Sequence, residues 1–175
     1  MIAPKKEMPG WFDLYDWPIG IQAKDDREGK LAAVKQIEET VDRLEREMGI
    51  PPSRVVVGGF SQGGAVALLA AYHRRGGADG GKVPFAGCVC LSGWLTLKDD
   101  LTSVTEEVAS ATPLFWGHGQ WDDKVLYEQQ AHGVGMLREL GVDVTDESYP
   151  IGHSSHPKET RAVADFLERV LFPSK

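Results

Sequence analysis

Hydrophobic and polar positions follow two rhythms along this chain. Leu31, Val34, Ile37, Val41, Leu44 and Met48 recur at spacings of three and four, with Glu38, Glu39, Asp42, Arg43, Glu45 and Arg46 between them. That period predicts an amphipathic helix lying on a sheet, its charges forming a solvated face. Asp25 or Asp26 can cap its start, and Gly49-Ile50-Pro51-Pro52 ends it. Elsewhere the apolar residues come in short unbroken runs, at Arg54–Phe60, Phe85–Ser92 and Pro113–Gly119. Runs without alternation predict strands covered on both faces. Val142–Tyr149 is a fourth strand, less apolar and expected at the sheet's edge. Gln62 to about His73 is apolar nearly all round, so it predicts a buried helix with His73 at its C-terminal cap. Val125–Leu140 reads as a helix weakened by Gly133 and Gly135, and His156–Phe172 as a terminal amphipathic helix.

Three stretches follow neither rhythm. Lys5–Pro18 reads as an irregular loop whose aromatics Trp11, Phe12, Tyr15 and Trp17 pack on the body. Arg74–Lys82 is a glycine-rich loop, and Asp99–Ala111 is polar with room for a short helix. Met1–Pro4 reads as the end of a strand. From Arg54 onward strand and helix alternate, which implies an α/β fold with a mostly parallel sheet and helices on both faces. The 175 residues fit one domain with a real core. Ligands of such sheets bind beyond the carboxyl ends of the strands.

The formal net charge of −7 weighs against nucleic acid and anionic membrane surfaces as main partners. No apolar run is long enough to span a bilayer, so stable membrane insertion is not expected. Cys88 and Cys90 would share one strand face and could not easily bond to each other. With no disulfide framework and no signal peptide, the cytoplasm is the expected compartment.

The candidate chemistry begins at Gly59-Phe60-Ser61-Gln62-Gly63, a match to G-x-S-x-G with a strand before it and a helix after it. In a nucleophile elbow the serine sits on the sharp, strained turn between the two. Glycines two residues either side let strand and helix approach, and the helix N-terminus can stabilise negative charge beside the serine. The plainer alternative is a glycine-rich turn whose serine caps a helix. A serine hydroxyl needs a base, and histidine is the side chain suited to the task near neutral pH. The base in turn needs an acceptor that fixes its tautomer. His153 is the best-placed histidine, on a loop beyond the last strand; His156 is expected to start the terminal helix and His118 to shape the neighbouring loop. For the acid, spacing alone cannot separate Asp122 from Asp123. The order Ser…Asp…His is that of α/β-hydrolases. His153 and His156 are three apart without a nearby cysteine, and no H-E-x-x-H occurs, so neither metal nor cofactor is expected.

These pieces together resemble the acyl-protein thioesterase / carboxylesterase (lysophospholipase-like) family of α/β-hydrolases. The matching residues are Ala3-Pro4, Trp11-Phe12-Asp13, Gly49-Ile50-Pro51, Gly58 to Ala65, Leu91-Ser92-Gly93, His118-Gly119-Gln120-Trp121-Asp122 and Gly152-His153, in the family's order. The resemblance implies a serine esterase acting on S-acylated proteins, lysophospholipids or small carboxylic esters. It matches Ser61 to the nucleophile, His153 to the base and, through the motif H-G-x-x-D, Asp122 to the acid. Gln62 matches the residue whose backbone N–H is one oxyanion donor. Asp123 stands where the family usually has proline. The family also carries upstream strands and a His-Gly-rich loop with the second oxyanion donor, and this chain begins after them. Two other readings follow from that departure: a catalytically impaired homologue acting as a binding or regulatory protein, and an incomplete copy of an active enzyme. Val55–Val57 would then be an unpaired apolar edge, and the chain alone poorly soluble or self-associated and at most weakly active.

Overall fold

The structure is a computed structural model that describes residues 9–73, 83–99 and 106–173. The strand expected at Met1–Pro4 and the loop at Arg74–Lys82 lie outside these residues, as do positions 100–105 of the polar stretch. Helix α1 (Arg27–Met48) precedes strand β1 (Val56–Phe60), helix α2 (Gln62–Tyr72) and strand β2 (Gly87–Leu91). Then come α3 (Glu106–Ala111), β3 (Leu114–Gly119), α4 (Glu128–Glu139), β4 (Val144–Tyr149) and α5 (Pro157–Leu171). The four strands form one parallel sheet in the order β1-β2-β3-β4.

Helices cover both faces, as the alternation implies. On one face Cys88 and Cys90 of β2 and Leu114 and Trp116 of β3 pack with Leu68 and Ala71 of α2 and Val134 and Leu137 of α4. On the other, Val89 and Phe115 pack against Phe166 of α5. Every residue of α2 from Gly64 to Tyr72 is buried, which is why that helix has no polar stripe. Cys88 and Cys90 are free and fully buried, and desolvation pushes both thiols above their ordinary range, which disfavours the thiolate.

Three expectations need correction. Strand β1 is not covered on both faces: of its residues only Val57 is buried, and among the described residues it lies at the sheet's edge. Its apolar run reflects β-propensity and one buried face. Helix α1 rests mainly along α2 rather than on the sheet. Its apolar face is Ala33, Val34 and Val41, while Met48 stands in solvent. Of the four early aromatics only Phe12 packs inside; Trp11, Tyr15 and Trp17 are 44%, 51% and 60% exposed. The caps do form as read. Asp26 accepts from Gly29 N at 3.1 Å at the start of α1, and Gly49 closes it with φ of 67°.

Lys30 is buried on the inner face of α1, where its ammonium meets Asp25 and Thr96 and lies 4.8 Å from the centroid of the Phe12 ring. Burial works against the charge of both partners; at Asp25 the bonds from Lys30, Thr96 and the Leu97 N–H outweigh it and hold the carboxyl below its ordinary value. The pair ties the start of α1 to the chain beyond β2.

Glu159 is also a buried charged residue. One carboxylate oxygen completes a capping box with His156 N at 3.4 Å, while Oε1 has no partner among the described residues. Desolvation raises its carboxyl above the ordinary value, against the lowering effect of that N–H. The folded state therefore binds this proton more tightly than the unfolded chain. Its contribution to stability is complete below the unfolded value, about 4.3, and is lost as pH rises through the raised folded one. Glu159→Gln removes this titration. In urea melts at pH 4 and pH 7 the variant should gain on the parent at the higher pH; an equal difference at both would contradict the assignment.

Candidate active site

Ser61 leaves β1 and opens α2 with φ of 56° and ψ of −121°. That conformation is costly for a residue with a Cβ, on the order of 1–3 kcal/mol. The surrounding bonds hold it there: Ser61 N donates to Leu91 O at 2.8 Å, and Ala65 N donates to Ser61 O at 3.1 Å. The turn closes because Gly59 lacks a side chain; a Cβ there would sit 2.3 Å from the carbonyl carbon of Gly63. Gly63 itself is under less pressure, since its Cβ would meet only Trp11 Nε1, at 3.8 Å.

Asp122 and His153 come together by an extension of the sheet ladder. Gly119 of β3 is paired with Tyr149 of β4. Beyond them Gln120 N donates to Tyr149 O at 2.8 Å and Trp121 N to Ile151 O at 3.0 Å. The two loops therefore run side by side past the strand ends and deliver the carboxylate to the imidazole. His153 Nδ1 lies 2.7 Å from Asp122 Oδ2. A carboxylate oxygen accepts, so Nδ1 carries the proton and the Nε2 lone pair is left to receive another. Asp122 Oδ1 accepts from Lys124 N and Val125 N, each at 2.9 Å. The side chain is thus shut in and aimed. Asp123, by contrast, is exposed and pairs with Lys124 at 3.0 Å. Of the two neighbouring aspartates, Asp122 is the one that meets the histidine.

His118 and His156 have separate duties. His118 is fully buried, and its Nε2–H donates to Val125 O at 2.9 Å while lying 3.5 Å from Asp122 Oδ2. Burial lowers its pKa, against the raising effects of Val125 O and Asp122, and so favours the neutral ring. His118 therefore walls in the Asp122 loop. His156 caps α5 through Nδ1, which accepts from Lys158 N at 3.2 Å, and stacks on Tyr149. Among the described residues no cluster of three or more His, Cys, Asp or Glu could hold a metal.

The ring of Phe60, the residue before Ser61, lies 4.7 Å from the His153 ring between centroids. The imidazole is thereby packed against the elbow. Beside Ser61 opens a groove of about 550 Å³, lined by Pro9, Gly10, Trp11, Gln36, Phe60, Ser61, Gln62 and Gly63. The part played here by the Pro9–Trp11 segment and by the Gln62 side chain was not legible from periodicity. Both depend on contacts across some fifty positions of sequence, |i−j| of 51 for Trp11 with Gln62.

The profile of the phospholipase/carboxylesterase family matches residues 1–171. A probable carboxylesterase of Oryza sativa is 32% identical over 169 residues, covering 96% of this chain and 60% of that protein. Acyl-protein thioesterase 1 of Cryptococcus neoformans is 33% identical over 179 residues, covering 94% of this chain and 72% of that protein. The crystal structure of Arabidopsis thaliana SOBER1 superposes with a TM-score of 0.81 at 30% identity, over 93% of this chain and 74% of that one. The chain thus spans about 60% of the length of the rice relative. Its parallel sheet with flanking helices is that of an α/β-hydrolase, and the chain belongs to the phospholipase/carboxylesterase family.

Proposed function

We propose that this chain carries the nucleophile, base and acid of a serine hydrolase that cleaves carboxylic esters or thioesters. The observation that supports this best is the 2.7 Å bond of His153 Nδ1 to the buried Asp122, packed against an elbow whose serine is held at φ of 56°. Ser61 Oγ attacks the acyl carbon and its proton passes to His153 Nε2. Asp122 stabilises the imidazolium and keeps the tautomer. The backbone N–H of Gln62, at the start of α2, faces the negative charge that develops on the carbonyl oxygen. Collapse breaks the bond to the alcohol or thiol, which leaves with the proton from His153. Water then attacks the acyl-enzyme, His153 takes its proton, and the carboxylic acid departs as Ser61 recovers its hydrogen.

The names of the relatives favour two substrate classes, small carboxylic esters and S-acylated proteins; lysophospholipids are chemically equivalent acyl esters. The test is release of phenolate from p-nitrophenyl butyrate and of thiol from an acyl thioester, by the chain and by Ser61→Ala side by side. Release that depends on Ser61 supports the proposal. Release that Ser61→Ala retains in full overturns it.

A further inference from the structure

The proposed mechanism uses only the backbone of Gln62. Its side-chain amide is engaged twice elsewhere. Oε1 accepts from Trp11 N at 3.2 Å, and Nε2 donates to Phe12 O at 2.7 Å. Only one orientation of the amide serves both partners, since an N–H needs an acceptor and a carbonyl needs a donor. The segment it holds is anchored on its downstream side. The Phe12 ring packs edge-on against Trp94 with centroids 5.8 Å apart and under the Lys30 ammonium, and Asp13 N donates to Asp26 Oδ2 at 2.8 Å. On its upstream side Pro9, Gly10 and Trp11 form one wall of the groove beside Ser61. Gly10 passes so close to the amide that a Cβ would lie 3.0 Å from Gln62 Oε1. Trp11 itself stays nearly half exposed.

We propose that the Gln62 side chain is a positioning residue, which latches the Trp11–Phe12 backbone to the nucleophile elbow and so holds the Pro9–Trp11 wall beside the serine. Pro9, Trp11 and Phe60 make that groove partly apolar, which fits the hydrocarbon portion of an ester. The kinetic consequence rests on the hydrolase proposal; the latch does not.

Two variants test it. Gln62→Glu keeps an acceptor for Trp11 N but replaces the donor to Phe12 O with an oxygen that repels it. Gly10→Ala crowds the same amide from the other side and leaves the elbow sequence untouched. The first readout is hydrogen exchange at the Trp11 amide, with the buried amides of α2 as the internal control for folding. Loss of one such bond should speed exchange at Trp11 by about fivefold or more while α2 stays protected. The second is kinetics on p-nitrophenyl acetate and octanoate. A loosened wall should raise KM for octanoate more than it lowers kcat, and cut the octanoate-to-acetate ratio of kcat/KM by about fivefold. Unchanged exchange at Trp11 in both variants would overturn the latch, whatever the activity. Faster exchange with an unchanged chain-length ratio would overturn the positioning role. Should the parent hydrolyse neither ester, the hydrolase proposal fails, and the exchange data alone decide the latch.

Discussion

Ser61→Ala is expected to bring ester and thioester hydrolysis down to the uncatalysed background. Removing the nucleophile of a fully formed triad costs on the order of 10⁶ in turnover. The substitution deletes one oxygen at a position whose backbone is fixed by Leu91 O and Ala65 N, so the fold should survive it. Loss of Oγ cannot relieve the strain, because alanine keeps the Cβ that makes φ of 56° unfavourable. The variant should therefore melt close to the parent. That separates a chemical loss from a structural one: inactivity with unchanged stability is the outcome expected, and activity within tenfold of the parent would reduce the elbow to a structural turn.

The second large effect is expected at Asp122. Asp122→Asn keeps the shape of the side chain. Its amide, however, would present either an N–H to the His153 Nδ1–H or the wrong group to Lys124 N and Val125 N, which both need an acceptor. The imidazole then favours the wrong tautomer. In a well-studied protease triad that error costs roughly 10⁴ in turnover. Asp123→Asn changes an exposed carboxylate paired only with Lys124 and should cost almost nothing. Measuring kcat for the two variants on one ester decides between the neighbours, and a larger loss at Asp123 would overturn the assignment of the acid.

Much of this arrangement was legible in the sequence because it rests on local signals. The apolar run of α2 and the unbroken strand β3 each read directly as buried elements, and both are. Ser61, Asp122 and His153 each follow a strand's last residue by four positions or fewer, so the parallel topology carries them to the carboxyl end of the sheet. What escaped was set by partners distant in sequence. Lys30 shares the helical face of Ala33, Val34 and Val41, a pattern present in the sequence, but its burial needs Asp25 and Thr96. Which residues of β1 are covered depends on packing by distant elements, which an apolar run cannot announce. The exposure of Trp11, Tyr15 and Trp17 was not legible either. Aromatic residues in an irregular stretch carry no periodicity from which a face could be read.

The central claim is that Ser61 is made nucleophilic by the His153–Asp122 pair, and a fluorophosphonate probe reads it most directly. Incubation of the chain with the probe, followed by peptide mass analysis, should place a single adduct on the peptide containing Ser61. The same reaction on His153→Ala should be slower by orders of magnitude, since no base remains to take the serine proton. An adduct on another residue, or labelling of Ser61 at an equal rate without His153, would contradict the account.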